Sequence, residues 1–431
     1  MQDANWGRSL ERLISTYGVV NRVAGIPAPR GLPELSLTHA MIGNDRSGHH
    51  PGGRDQTSAA GRAVAEPGLA RALALAEAAE RYAAWDPADP GYLWSAATDL
   101  DGEVLDHRSL PRCSDLEYAE PACPVVPFDP DARIRWCRGV DLLSGDDVWA
   151  PARMATYRLP APVAAEKFWY PISTGYAVHT DPVAAILGGL SEVIERDMIA
   201  LLWSRRLPFP ELPRDALDAA TVRLLEWCSE HHVQAHLFDA TTDLGLPSVY
   251  CLLRSPHDSA LHTLVGAGTG FALAQAAFKA LLEAIGLRVT MSTALSPPAA
   301  YGDFRSVLDG VRYMGVRERA HAFDFLLQPD EDRPAFEDRG VFADGPRQGL
   351  ERLLRTLSEA GMEAVAVDRT TDELADVGLT AVCVIVPGLQ PMSLHPLAQF
   401  TAHPRLRSAP GAMGFARRDD EELNPWPQPF G

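Results

Sequence analysis

Apolar residues along this chain follow two kinds of spacing. In some stretches they recur every three to four residues, which is typical of helices, and in others they alternate or run continuously, which is typical of strands. The helical stretches are 69–85, 182–204, 274–291 and 348–361, and the last of them ends at Gly361, a residue suited to a helix C-terminus.

Short apolar runs between these helices predict strands. They lie at 134–143, 146–157, 167–178, 233–241, 247–255, 363–370 and 379–388. Because strand and helix signals alternate along the chain, the predicted fold class is mixed α/β.

Two stretches lack a regular apolar period. Residues 27–68 are rich in Gly, Pro, Ser and His and are predicted to be a loop or an exposed lid, including His49 and His50, while 86–130 is predicted to be irregular. The expected division is therefore an N-terminal segment and loop over 1–68 and a main domain over 69–431.

Composition narrows the function. Of 431 residues, 46% are hydrophobic, which is ordinary for a globular protein, and the formal net charge is −18. A field of that sign repels phosphate backbones, so nucleic acid is not expected as a partner. No apolar run reaches membrane-spanning length, and the six cysteines lack C-x-x-C spacing, so we expect a cytoplasmic protein with reduced thiols.

Paired carboxylates on two of the helices are the most informative feature. Glu77 and Glu80 lie three residues apart, as do Glu192 and Glu195, so each pair shares a helix face beside an apolar stripe. Like charges that are partly buried together are costly unless a cation neutralises them. Hard oxygen ligands of this kind suit Mg²⁺.

An arginine follows each acidic pair, Arg81 in the first helix and Arg196 in the second. A guanidinium can contact phosphate oxygens, so carboxylates, Mg²⁺ and arginine together predict a nucleotide phosphate site without a Walker loop. The third helix carries a partial copy, Glu283 with Arg288. The plainer alternative stays open, because E-x-x-E-R also forms simple ion pairs on exposed helices.

The glycine-rich stretch at 266–270 precedes the third helix. It could hold an anion at a helix N-terminus, or it could be an ordinary strand-to-helix turn.

At these residues the chain resembles the YcaO family. The resemblance is carried by 77–81, 172–203, 266–288 and 367–391, in the family's order. It implies a YcaO-type composite fold with mixed sheets and acidic nucleotide-binding helices, which hold ATP through Mg²⁺. It assigns Mg²⁺ to Glu77, Glu80, Glu192 and Glu195, and the nucleotide to Arg81, Arg196, Glu283 and Arg288.

The C-terminal stretch 424–431 is rich in proline. Pro425, Pro427 and Pro429 resemble the Pro-x-Pro-x-Pro tail of azoline-forming members, which helps to shape the active site; a disordered tail is the alternative. The resemblance then implies ATP-dependent cyclodehydration of Cys, Ser or Thr in a ribosomal precursor peptide. It also implies a ThiF-like or leader-peptide-binding partner protein, and a homodimer is plausible.

Three positions depart from the family pattern. His179-Thr180 stands where a Gly-Asn pair is usual, Ala184 where Glu is frequent, and Gly286 where Gln is usual. Losing ligand oxygens there should weaken Mg²⁺ and ATP binding. Two other functions therefore remain open: a degenerate member that acts as a scaffold or partner subunit, and an active member that makes a thioamide or an amidine.

Overall fold

The computed structural model describes residues 4–32, 34–43, 58–85, 91–291, 296–304, 306–328, 334–415 and 423–430. The described helices are α1 (Ala4–Glu11), α2 (Pro67–Ala83), α3 (Asp115–Ala119), α4 (Ala152–Ala155), α5 (Pro182–Arg205), α6 (Ala219–Glu230), α7 (Leu273–Met291), α8 (Asp309–Gly315), α9 (Asp324–Leu327), α10 (Pro346–Glu359), α11 (Asp372–Ala375) and α12 (Arg405–Ala412). The described strands are β1 (Val20–Ile26), β2 (Leu35–Ile42), β3 (Ser58–Val64), β4 (Leu93–Ser95), β5 (Glu103–Val104), β6 (Ile134–Asp141), β7 (Asp147–Pro151), β8 (Tyr176–His179), β9 (Gln234–Asp239), β10 (Ser248–Arg254), β11 (Thr263–Thr269), β12 (Val365–Asp368) and β13 (Thr380–Ile385).

The chain divides into two compact units, and both are discontinuous in sequence. The first unit comprises Met1–Leu110, Cys123–Val193 and Gly345–Gly388. The second unit comprises Pro111–Ala122, Ile194–Asp344 and Leu389–Gly431. The division therefore falls inside α5.

One sheet of the first unit is an antiparallel meander in the order β1-β2-β3, and α2 follows it directly. Strand β3 lies against α2 at Gly61, where an added Cβ would stand 1.9 Å from the carbonyl oxygen of Ala70. Only glycine allows two backbones to come this close. The buried core beside this sheet includes Trp6, Leu10 and Leu75.

The other sheet of the first unit joins seven of the described strands in the order β5-β7-β6-β12-β13-β8, and β4 also pairs with β6. Strands β5 and β7 run parallel, and the other pairings in this sheet are antiparallel. Trp136 is fully buried in the core of this sheet. Arg369 is also buried and donates hydrogen bonds to the carbonyl oxygens of Ala83 (3.1 Å) and Trp85 (2.6 Å).

The second unit contains a further antiparallel meander, ordered β11-β10-β9, and α7 follows it in the chain. Strand β11 approaches α7 closely, since an added Cβ on Gly268 would lie 2.6 Å from the carbonyl oxygen of Ala276. The core of this unit surrounds the end of α5 and includes Trp203, Phe238 and Phe430. None of the helices within the described residues combines the length and apolar character that crossing a membrane requires.

The predicted mixed α/β class is confirmed, as are helices at 69–85, 182–204, 274–291 and 348–361 within a few residues. The prediction of a loop over 27–68 is wrong where the structure describes it, because β2 and β3 lie there; His49 and His50 lie outside the described residues. The glycine-rich stretch at 266–270 is mostly strand β11 and not a turn. The expected boundary at residue 68 stays a prediction.

Candidate active site

Glu77 links α2 to the neighbouring strand β3. Its Oε2 accepts a hydrogen bond from the backbone N–H of Ala60 at 2.7 Å. Its Oε1 accepts one from Arg81 at 2.7 Å, and Arg81 also donates to the carbonyl oxygen of Ser58 at 2.6 Å. The i,i+4 ion pair of the plainer sequence interpretation is therefore present, and it is tied to the sheet as well.

Glu80 lies one turn further along α2 and is partly buried. Burial raises its pKa well above the usual value, and the charges of Glu192 and Glu77 raise the pKa further. Its Oε1 accepts a long hydrogen bond, 3.4 Å, from the N–H of Val178. Three of the four predicted Mg²⁺ ligands thus interact electrostatically within the first unit.

Glu192 on α5 repeats the contact that Glu77 makes. Its Oε2 accepts a hydrogen bond from the backbone N–H of Gly175 at 2.9 Å. Gly175 adopts a positive φ of 88°, and a Cβ there would lie 2.3 Å from the carbonyl oxygen of Val384. The backbone N–H that holds the Glu192 carboxylate therefore belongs to a residue, Gly175, that no other amino acid can replace without a clash.

The chemistry of these carboxylates fits a hard divalent cation. Within the described ranges, no group of three or more His, Cys, Asp and Glu side chains could by itself hold a metal ion. A nucleotide-bound Mg²⁺ does not need such a group, because one or two carboxylates usually share the ion with phosphate oxygens and water.

Glu195 and Arg196, on the same helix, belong to the second unit. Arg196 donates to Oε1 of Glu195 at 3.1 Å, and Thr269 Oγ1 donates to Oε2 at 3.3 Å. Thr269 ends strand β11, and its carbonyl oxygen accepts a hydrogen bond from Lys279 Nζ at 2.8 Å. An acid, two cations and a hydroxyl therefore lie together in this unit.

Lys279 was not predicted as a site residue. Burial lowers its pKa, while the charge of Glu195 raises it. One signal in the sequence could have drawn attention to it: of the 39 Lys and Arg residues, only Lys167 and Lys279 are lysines. A chain that otherwise uses arginine places one of its two lysines on an apolar helix, four residues before Glu283.

Glu283 and Arg288, the other two predicted nucleotide-site residues of the second unit, form hydrogen bonds to nearby backbone groups and an ion pair. Glu283 Oε2 accepts a hydrogen bond from the N–H of Ala267 at 2.7 Å. Arg288 donates to the carbonyl oxygen of Leu261 at 3.1 Å and lies 3.5 Å from Asp258 Oδ2. Glu283 thereby fastens α7 to β11, and Arg288 braces the connection between β10 and β11.

An ion triad of Asp197, Arg405 and Asp243, of which the first two are buried, anchors the second half of α5. Asp197, the residue after Arg196, is fully buried, and its Oδ2 accepts a hydrogen bond from Arg405 at 2.9 Å. Arg405 also donates to Asp243 at 2.6 Å, and the N–H of Gln390 donates to Asp197 Oδ1 at 2.8 Å. These bonds fix the rotation of the helix turn that carries Glu195.

The proline-rich tail is docked, so the alternative of a disordered tail is wrong for residues 423–430. Pro427 and Pro429 are buried and Pro425 is exposed. Trp203 Nε1 donates to the carbonyl oxygen of Trp426 at 3.0 Å, and the ring of Phe430 packs edge-on against Tyr250 at 5.5 Å. Whether the three prolines shape an active site stays a prediction.

His179 occupies one of the positions that depart from the family pattern. Its Nδ1 accepts a hydrogen bond from the N–H of Asp181 at 2.9 Å, just before α5 begins. Its ring also stacks on Trp6 with a centroid distance of 6.0 Å. His179 therefore helps to form the start of the helix that carries Glu192.

A comparison with protein families decides the relationship. The family model described as YcaO cyclodehydratase, ATP- and Mg²⁺-binding, matches residues 63–390, which is 328 of the 431 residues. The chain belongs to the YcaO family. An uncharacterized protein of Methanothermobacter thermautotrophicus is 28% identical over 330 residues, which cover 76% of this chain and 80% of the relative.

Solved structures show the same fold. A heterocyclase solved in complex with substrate and cofactor matches 100% of this YcaO chain with a TM-score of 0.82 at 22% identity. This chain spans 58% of that heterocyclase's length. YcaO from Methanopyrus kandleri, solved with AMPPCP and Mg²⁺, matches 96% of this chain and 93% of its own with a TM-score of 0.62 at 18% identity.

Proposed function

We propose that this YcaO protein uses ATP and Mg²⁺ to activate backbone amides, cyclodehydrating Cys, Ser or Thr of a ribosomal precursor peptide to azolines. The observation that carries the proposal is the grouping of Glu77, Glu80 and Glu192, where burial first, and then the charges of Glu192 and Glu77, raise the pKa of Glu80. Carboxylates held together in this way favour binding of a divalent cation, since it removes the repulsion.

The proposed roles follow the two units. In the first, Glu77, Glu80 and Glu192 provide oxygens for Mg²⁺, and Arg81 orients Glu77. In the second, Glu195 is proposed as a further carboxylate for Mg²⁺, while Arg196 and Lys279 compensate negative charge on the phosphates. Glu283 and Arg288 support this site by fastening α7 and the connection between β10 and β11.

In the proposed reaction, the Cys, Ser or Thr side chain attacks the preceding amide carbonyl carbon. This attack closes the ring as the side chain loses its proton. ATP then transfers its γ-phosphoryl group to the former amide oxygen and ADP leaves, after which phosphate departs with that oxygen while the amide nitrogen loses its proton and the C=N bond forms. The protein's part is to place the peptide and to stabilise charge, as in other phosphoryl transfers. The buried prolines of the tail favour a role in shaping the peptide site.

The proposal also includes the setting of the enzyme. We place it in the cytoplasm, acting on a precursor peptide with the help of a ThiF-like or leader-peptide-binding partner, and possible homodimer formation belongs to the same proposal. All six cysteines are free thiols, which supports a reducing compartment.

The test combines the purified protein with its genomic-neighbour precursor peptide, the neighbouring partner protein, ATP and Mg²⁺. Mass spectrometry should find loss of one water per modified residue, and phosphate release should rise with peptide modification. Peptide that stays unmodified, with no ATP turnover although the partner binds, would overturn the proposal.

A second candidate is a degenerate YcaO scaffold. The observation that favours it is Gly286, which lies in α7 where the family usually has Gln and which offers no side chain to a nucleotide. The same assay separates these functions. Intact partner binding without turnover supports the scaffold, and exchange of oxygen for sulfur or nitrogen supports thioamide or amidine formation.

A further inference from the structure

Arg153 lies on the short helix α4 of the first unit, between buried neighbours. Ala152 and Met154, on either side of it, are buried, and Arg153 itself is half-buried. Its Nη1 donates a hydrogen bond to the carbonyl oxygen of Leu159. The guanidinium is therefore held both by the packing of its helix and by this backbone acceptor. It was not predicted as a site residue.

The Nε–Nη2 edge of this guanidinium has no acceptor. The Nε atom is buried and makes no hydrogen bond to any residue that the structure describes. The hydrogen bond to Leu159 uses Nη1, so Nη2 has no acceptor among these residues either. Arg312 in the second unit also has a buried Nε without an acceptor, but it forms an ion pair with Asp309 at 3.1 Å. Arg153 forms no ion pair with any part of the chain that the structure describes.

Arg135 shows what the same edge of a guanidinium accepts. Its Nε and Nη2 donate to the two carboxylate oxygens of Glu166 at 2.7 and 2.6 Å, and its backbone N–H donates to Oε1 at 3.1 Å. Glu166 is only 1% exposed, so this pair is shielded from water. Because Arg135 occupies the carboxylate of Glu166, the cluster of Arg135, Glu166 and Arg153 keeps one positive charge.

The surroundings make this remaining charge unfavourable. Burial lowers the pKa of Arg153, while the charge of Glu166 raises it and that of Arg135 lowers it. A buried charge is costly unless a counterion and hydrogen bonds compensate it. The chain has 57 Asp and Glu residues, yet none of those described by the structure lies against the Nε–Nη2 edge of Arg153. A charge kept under these conditions points to a ligand of opposite sign.

Tyr170 lies close enough to Arg153 for the two side chains to interact electrostatically. Burial raises the pKa of the Tyr170 phenol, the charge of Tyr157 raises it further, and the charge of Arg153 opposes this rise. The phenol therefore keeps its proton at neutral pH and can donate a hydrogen bond to an anion. Tyr170 and its neighbours Trp169 and Pro171 are half-buried, so solvent reaches this part of the first unit.

We propose that Arg153, with Tyr170 beside it, binds an oxyanion, either a phosphate group or a carboxylate. The Nε–Nη2 edge holds two oxygens of the anion side by side, as the same edge of Arg135 holds those of Glu166. The anion supplies the negative charge that the cluster lacks. This binding needs neither Mg²⁺ nor the proposed amide activation.

The experiment measures thermal unfolding of the full chain, without Mg²⁺, in phosphate and in chloride at equal ionic strength, which separates binding from screening. Phosphate should raise the midpoint temperature saturably, by about 2–4 °C. Arg153→Met should abolish this rise. It should not lower the midpoint in chloride, because it removes a charge that has no counterion. Arg138→Met, at an exposed arginine of β6, should keep the response to phosphate.

Two further measurements define the ligand. Arg153→Lys keeps the charge but loses the paired donors, so the phosphate concentration that gives half of the rise should increase about tenfold. Acetate in place of phosphate identifies the anion: a smaller rise assigns the site to phosphate groups, and an equal rise assigns it to carboxylates.

Circular dichroism establishes that each variant is folded, and Arg153→Lys carries the test if Arg153→Met is not. Absence of a saturable rise with either anion would overturn the proposal. An undiminished rise in Arg153→Met, or an unchanged half-point in Arg153→Lys, would do the same. A lower midpoint of Arg153→Met in chloride would show that Arg153 only supports the fold, and would also overturn it.

Discussion

The contact between β3 and α2 in the first unit and the contact between β11 and α7 in the second unit have the same construction. In each unit an antiparallel meander of three strands is followed by a helix. In each, a strand glycine packs against a helix carbonyl oxygen: Gly61 against that of Ala70, and Gly268 against that of Ala276. Seven residues after that helix residue comes a glutamate. That glutamate, Glu77 or Glu283, accepts a hydrogen bond at 2.7 Å from the N–H of the preceding strand residue.

The two regions differ in the charges placed on this construction. Three residues after the glutamate, the first helix has Glu80 and the second has Gly286. Four residues before it, the first helix has Leu73 and the second has Lys279. The same backbone arrangement thus places carboxylates on α2 and a lysine on α7. The packing of a strand on a helix therefore does not determine the charge of the side chains that the helix carries.

The largest expected difference between the units concerns their buried arginines. Arg405→Met leaves Asp197 and Asp243 without their shared cation and should cost about 3–5 kcal/mol of unfolding free energy. Arg369→Met leaves only the two carbonyl oxygens of Ala83 and Trp85 without a partner and should cost about 1–3 kcal/mol. Urea unfolding of both variants checks the order, and a larger loss for Arg369→Met would contradict it.

The strand glycines test the shared construction directly. Gly61→Ala and Gly268→Ala should each lose about 1–3 kcal/mol, because the added Cβ would lie 1.9 Å and 2.6 Å from a helix carbonyl oxygen. Gly61→Ala should be the worse of the two. Gly25→Ala in β1 is the matched control, since its nearest contact is at 4.0 Å. Thermal unfolding measures all three, and equal stability of the control and the other two would refute the packing argument.

Glu80→Gln tests whether the charge difference between α2 and α7 matters for metal binding. Removing this carboxylate should raise the Mg²⁺ concentration for half-maximal ATP turnover by about tenfold, because a ligand oxygen loses its charge. Titration of Mg²⁺ at saturating ATP gives the value. Glu351→Gln, at an exposed position of α10, serves as the control, and an unchanged Mg²⁺ requirement in Glu80→Gln would remove Glu80 from the proposed metal site.

Lys279→Met should have the smallest effect of these variants. It should change the affinity for ATP and not the affinity for Mg²⁺. We expect KM for ATP to rise by about fivefold with little change in the Mg²⁺ requirement, since a single lysine acts as a point charge on phosphate. Lys167→Met, at the chain's other lysine, should behave as the unaltered protein does. A change in Mg²⁺ requirement with a constant KM would contradict the assignment.

The sequence predicted the long helices because their apolar residues recur with a clear helical period. It did not predict β2, although Leu35, Leu37 and Ile42 of this strand are buried, because the surrounding stretch 27–68 is rich in Gly, Pro, Ser and His. It did not predict β3 or β11 because the positions that meet α2 and α7 include Gly61, Gly266 and Gly268, which carry little hydrophobic signal. Close packing of strand on helix requires those small residues, so the tightest contacts leave the weakest pattern.

The acidic pairs could be predicted from spacing within one helix. The contact of Lys279 with Thr269 and the triad of Asp197, Asp243 and Arg405 could not, since these residues come from elements far apart in sequence. The docking of the tail could not be predicted either. A proline-rich stretch has no apolar periodicity that would distinguish a segment packed on the protein from a disordered one.

The order of strands in the large sheet has a consequence for synthesis of the chain. Strand β8 pairs with β13, and β6 is joined to β13 only through β12, yet β8 ends at His179 and β13 ends at Ile385. At about 5–20 residues per second, a ribosome needs roughly 10–40 s to make the intervening 206 residues. Throughout that interval the nascent chain carries strands whose partners do not yet exist, and unpaired strand edges of this kind are prone to aggregation until the sheet is complete.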